Sequence, residues 1–147
     1  MDVIKTIKKT IGIVDVLDIP QSDLFQIPCK VDTGAYNCSI DCSYIKLKDL
    51  NGVKILSFIL LDERSKQYNG TIISTSTFWQ KKVKSSTGTA EYRYQVPLDI
   101  VLFGENYKAI FNLSKRHDMR FPILLGRHFL SKKFLVDVSK KNLSAKR

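Results

Sequence analysis

Large apolar side chains recur in short runs along this chain, and where polar residues interleave with them the spacing favours strands over helices. The run Ile11 to Leu17 stops at Asp18-Ile19-Pro20, because proline cannot donate to a ladder and marks an edge or a turn. A second run, Leu24 to Val31, ends at Asp32-Thr33-Gly34, where glycine permits a tight turn that throws a side chain outward. Cys42 to Leu50 carries Tyr44, Ile45, Leu47 and Leu50 at a spacing that suits either one or two helical turns or a short strand. Asn51-Gly52 is a strong turn signal, and Val53 to Leu61 reads as the strand after it.

The clearest hairpin comes next. Thr71 to Val83 is β-type, Ser85-Ser86-Thr87-Gly88-Thr89 is a small polar tip, and Glu91 to Leu98 returns with regular alternation of large and polar side chains. Leu98 to Phe103, a turn at Gly104-Glu105-Asn106, and Tyr107 to Leu113 make another. Phe121 to Arg127 is a buried strand running into Gly126, followed by an expected helix over 127–133 and a last strand, Phe134 to Val138. These elements predict one mainly β domain over residues 1–147.

Composition agrees with that picture and adds two points. With 147 residues, 44% of them hydrophobic, and only 7 Gly and 4 Pro, the chain can bury one good core without disorder. No apolar stretch near Lys5, Lys8 and Lys9 is long enough for a signal or a membrane span, so a cytoplasmic location without membrane contact is expected. Cys29, Cys38 and Cys42 are an odd set, for which reduced thiols are the default. The formal charge of +10 raises the local concentration of any anionic partner. The basic residues cluster only at Lys81-Lys82-Val83-Lys84 and toward the C-terminus, so solubility and a solvated basic tail over 139–147 explain the charge equally well.

The candidate chemistry lies in Asp32-Thr33-Gly34. Peptide hydrolysis by carboxylates needs two facing Asp side chains, one acting as base on a water while the other, protonated, donates to the scissile carbonyl. Two carboxylates about 3 Å apart cannot both ionise, so the pair shares a proton and titrates as a unit. A loop holding each Asp needs a Thr or Ser hydroxyl buried beneath it and Gly where a Cβ would clash, and Asp32-Thr33-Gly34-Ala35 has those residues. The tripeptide alone also makes an ordinary turn. Its weight comes from Leu124-Leu125-Gly126-Arg127 downstream.

In this combination the sequence resembles the retropepsin superfamily, with its D-[ST]-G-A loop, flap hairpin and apolar-apolar-Gly-Arg segment. More closely, Lys30 to Ala35, Val83 to Gly88 with Glu91 to Tyr94, and Met119 to Arg127 look like a bacterial branch once labelled putative ATP-dependent zinc proteases and now regarded as retropepsin-like aspartic endopeptidases. The resemblance covers roughly residues 11–138. It implies a retropepsin-like acid-protease barrel with one short C-terminal helix and a closed flap. Asp32 would be the catalytic carboxylate, Thr33 its orienting hydroxyl, and Gly34 and Ala35 backbone that faces substrate. Ser86, Thr87 and Gly88 would form the flap tip, and Leu125, Gly126 and Arg127 would support the loop. Viral relatives have a second Asp where this chain has Tyr36, which leaves the partner of Arg127 open. The branch tends to be encoded near glutamate-adding ligases, which implies an acidic peptide or protein substrate.

Only one D-[ST]-G occurs, and Asp99, Asp118 and Asp137 lie in unsuitable settings, so both halves of a dyad require a C2 homodimer in which each chain contributes Asp32. Met1 to Lys9 and the segment from Phe134 onward are candidate interchain strands, although their Lys content equally suits frayed ends. No cofactor and no metal is expected. A zinc site from Cys38, Cys42, His117 and His128 lacks a second close ligand pair. Cys38 as a nucleophile would need a positioned His. Phe78 and Trp79 beside Lys81-Lys82 would suit single-stranded nucleic acid, yet such a pair more often belongs to the foot of a hairpin, and nucleic acid is not the expected partner. Two rival readings stand beside the endopeptidase: a non-catalytic peptide-binding module on the same fold, and a metal-dependent hydrolase.

Overall fold

The computed structural model describes residues 7–84 and 87–145. Strands dominate it: β1 (Lys9–Ile11), β2 (Val14–Ile19), β3 (Leu24–Asp32), β4 (Cys38–Leu50), β5 (Val53–Leu60), β6 (Ile72–Thr75), β7 (Trp79–Lys84), β8 (Ala90–Leu102), β9 (Glu105–Ser114), β10 (Ile123–Gly126) and β11 (Phe134–Val136). One α-helical turn, α1 (Arg127–Leu130), interrupts them, with four residues where the sequence suggests seven.

Six strands close a barrel in the order β10-β3-β2-β8-β9-β4, with β10 pairing both β3 and β4. Closure removes sheet edges and lets one face of every strand bury the same core. Alternation does the sorting. Val96, Leu98, Ile100 and Leu102 of β8 and Ala109, Phe111 and Leu113 of β9 point inward while their neighbours face out. β8 runs unbroken through Pro97 where the sequence suggests two strands, because Pro97 falls between the last β7 pair at Gln95 and the β2 pair at Val101. On that side β8 has no ladder bond for proline to break.

Cys42 to Leu50 is strand, which settles the helix-or-strand question. The first residues of β4 are barrel wall; the rest leave the barrel at a bulge between Cys42 and Tyr44 and pair with β5 as an arm flanked by β6. Asn51 and Gly52, at φ +53° and +85°, make the tight turn of that arm. β7 and β8 form the expected flap hairpin.

Within the described residues both ends of the chain pack against their own barrel, while residues 1–6 of the candidate interchain segment Met1 to Lys9 lie outside them. β1 pairs β11 in parallel, Ile13 N donates to Lys140 O, and Asn142 N donates to Val14 O. Residues 139–143 keep their side chains exposed, yet the segment is tied to the barrel beyond them: Ser144 N donates to the carboxylate of buried Asp15, and Ser144 Oγ accepts from Phe103 N. The physical reason is that the Asp15 carboxylate, taken from water, requires donors and finds them there. Among the described residues, no helix is long and apolar enough to cross a membrane.

Candidate active site

Asp32 is the last residue of β3 and lies opposite Gly126, the last residue of β10. The pairing is parallel, so both chains leave the sheet at the same end of the barrel, one into the Asp32 loop and the other into α1. Gly34 N donates to Asp32 Oδ1 at 2.9 Å and Ala35 N to Asp32 O at 3.2 Å, which curls the loop and holds the carboxylate at its mouth. A Cβ on Gly34 would lie 3.2 Å from that same Oδ1.

The loop is fastened from below. Arg127 N donates to Ala35 O at 2.8 Å, and His128 N donates to Tyr36 O at 3.0 Å. The Arg127 guanidinium donates to Gly34 O at 3.0 Å and reaches Thr33 O at 3.5 Å. Its carbon sits 5.3 Å from the centre of the Tyr36 ring. That answers the question left by Tyr36: two loop carbonyls and an aromatic face hold the arginine where viral relatives use a carboxylate. Tyr36 Oη in turn lies 2.9 Å from His128 Nδ1. Gly126 has no room for a side chain, since a Cβ there would meet the backbone of Asn37 and come within 2.7 Å of Tyr36 O. Beside it, Leu125 is fully buried against Val31.

A family model described as "Retropepsin-like aspartic endopeptidase RimB" matches residues 11–147. The chain belongs to this RimB-like family. A protein of Shewanella pealeana named "Probable alpha-L-glutamate ligase" is 31% identical over 113 residues, covering 77% of this chain and 25% of its own length. A Desulfotalea psychrophila protein of the same name is 25% identical over 130 residues, covering 88% of this chain and 28% of its own. The chain thus spans about a quarter of the length of the curated relatives it matches. A crystal structure of a Legionella pneumophila protein of unknown function superposes with a TM-score of 0.74 at 23% identity, covering 92% of this chain and 98% of that one. It has the same fold.

Within this RimB-like chain the structure brings Asp32, Thr33, Gly34 and Ala35 together with Leu125, Gly126 and Arg127. Thr33 is exposed, not buried beneath the carboxylate, so in a single chain its hydroxyl is not enclosed by the loop. Thr87 and Gly88 are exposed at the tip of the flap hairpin, with Gly88 at φ +84°, while Ser86 lies outside the described residues. In the sequence Tyr36 stands out only as a departure from the viral pattern and His128 only as a candidate zinc ligand; their pairing joins positions 92 apart, and no local pattern announces it.

The thiols sit in apolar surroundings. Burial pushes Cys38 up to about 11, with the Gly126 N–H opposing, and Cys42 up to about 11, so both stay protonated at neutral pH. Cys29 is raised still further by burial. The two histidines keep separate company: His128 with Tyr36, His117 with Asp41 at 3.7 Å and Asp62 at 3.8 Å. Among the described residues no group of three His, Cys, Asp or Glu side chains is gathered to hold a metal.

Proposed function

We propose that this chain is one half of an aspartic endopeptidase whose dyad consists of Asp32 from each of two copies. The observation that carries the reading is the Asp32 loop itself, its carboxylate presented at the barrel's end and its carbonyls clamped by Arg127. In the reaction one Asp32 takes a proton from a water as the water oxygen bonds to the scissile carbon. The other, protonated, donates to the carbonyl oxygen. The C–N bond of the tetrahedral species then breaks as the amine nitrogen takes up a proton. The β7–β8 hairpin would close over an extended substrate and exclude water.

An acidic peptide is the substrate class we favour, because exposed Lys81 and Lys82 on the flap and a net charge of +10 attract anions. The ligase name of the longer relatives supports the same choice: a chain segment that cuts acidic peptide beside one that adds glutamate would act on a shared substrate. The test is Asp32→Asn, which keeps shape and hydrogen bonds but removes the base. Hydrolysis of a quenched acidic peptide should drop by at least about a thousandfold, with sedimentation and circular dichroism unchanged. Undiminished turnover would reject the reading.

A further inference from the structure

Beyond the closed barrel, the arm and the flap hairpin leave a gap that no described strand fills. In the order β8-β9-β4, β9 separates the other two, pairing with β4 from Cys38 to Asp41 and with β8 as far as Tyr94 opposite Leu113. β9 then ends at Ser114, while both neighbours continue. β4 runs on to Leu50, paired to β5 on its far side, and residues 90–93 of β8 are paired to β7 on theirs. Two strand edges therefore face one another across the space that a continued β9 would fill.

A cleft of about 670 Å³ occupies that space, with Ser43, Tyr44 and Ile45 on one wall, Tyr92 and Arg93 on the other, and Ser114 at its closed end. None of its lining residues belongs to the Asp32 loop. Unpaired strand edges carry a row of N–H and C=O groups that an extended chain can satisfy. The bulge at Cys42 and Tyr44 turns β4 outward and opens the mouth.

Charge names the occupant. Arg93 and Lys115 line the cleft, Lys46 and Lys48 follow on β4, and Lys81 and Lys82 stand opposite Arg93 and Tyr92 on β7. Against them are Glu91, 3.5 Å from Arg93, and Asp49, whose Oδ1 accepts from Gly52 N at the arm's turn. We propose that this cleft is a second peptide-binding site, which takes an extended acidic segment as an added strand, parallel to β4 and antiparallel to β8. Binding here requires no chemistry at Asp32, so it can hold one stretch of a protein while another is cut.

The test uses the full chain carrying Asp32→Asn and a labelled eight-residue peptide alternating Glu and Val. Fluorescence anisotropy should show saturable binding that weakens about tenfold in Arg93→Glu/Lys115→Glu and by a smaller factor in the milder Arg93→Gln/Lys115→Gln, both changes being at exposed or rim positions. Hydrogen exchange should slow at residues 42–45 and 90–93 when the peptide is added. Protection confined to 32–35, equal binding of a Lys-Val peptide, indifference to both double substitutions, or no binding would each overturn the proposal. So would a single-stranded oligonucleotide that protects the cleft when the peptide does not. Because catalysis is absent throughout, the result is independent of whether Asp32 cleaves peptides.

Discussion

Gly126 is the residue on which the Asp32 loop rests. It is held to glycine by volume and not by a left-handed backbone, since Asn37 and Tyr36 lie where a side chain would begin. The obstructing atoms are backbone atoms, and Arg127 N and His128 N are bonded to the carbonyls of that same segment, so the neighbours have little freedom to retreat. Gly126→Ala is expected to cost about 1–3 kcal/mol, measurable as a lower urea midpoint with unchanged slope. If the loop is catalytic, the same change should lower kcat more than KM, because it moves Asp32 without touching the flap. Arg127 makes a companion point at this scale. Its guanidinium is committed to two carbonyls and an aromatic ring, so the clamp on the loop needs no acidic partner to remain intact.

Among the elements, β2 and the C-terminal segment are joined by a buried carboxylate with a sign worth working out. Asp15 Oδ1 accepts from Val16 N at 2.8 Å and Ser144 N at 3.1 Å, yet burial outweighs these bonds and raises its proton affinity above the ordinary 3.8. The folded state then binds a proton that the unfolded state has already released. Asp15 contributes stability below about pH 3.8 that is lost as pH rises through the folded value. Asp15→Asn keeps an oxygen for both N–H donors and removes the charge. Its stability relative to wild type should therefore rise between pH 4 and 7 in urea titrations, and a difference independent of pH would contradict the assignment. This contact also shows where the sequence stops being legible. The β4–β5 and β7–β8 hairpins are readable because turn residues act locally. The break in the first strand at Gly12 is not, because there the chain packs against the backbone of Lys140 and Lys141, a segment far off in sequence. The exposed outer half of β4 lacks a core-facing pattern, which is why a helix remained possible there. At the site the same division holds: Asp32, Gly126 and Arg127 are motif residues, whereas the Tyr36–His128 pair exists only once β10 lies beside β3.

For the molecule as a whole, the decisive fact is that a closed barrel presents a single Asp32 loop, while carboxylate hydrolysis needs two. On the proposed reading a second protomer, related by a twofold axis that passes between the two loops, would supply the other. Subunit mixing separates this arrangement from one in which each chain works alone. Suppose wild type and Asp32→Asn are mixed in equal amounts and allowed to exchange fully. With a shared dyad only dimers of two wild-type chains are active, about one quarter of the total, whereas independent sites would leave about one half. The expected curve of activity against wild-type fraction is therefore quadratic. A straight line would show that one Asp32 suffices and would remove the dimer from the mechanism. The measurement must be made where dilution does not itself dissociate the pair, so activity per chain should first be followed against concentration; a rise toward a plateau would mark the dimer's own dissociation and fix the range in which the mixing curve is read.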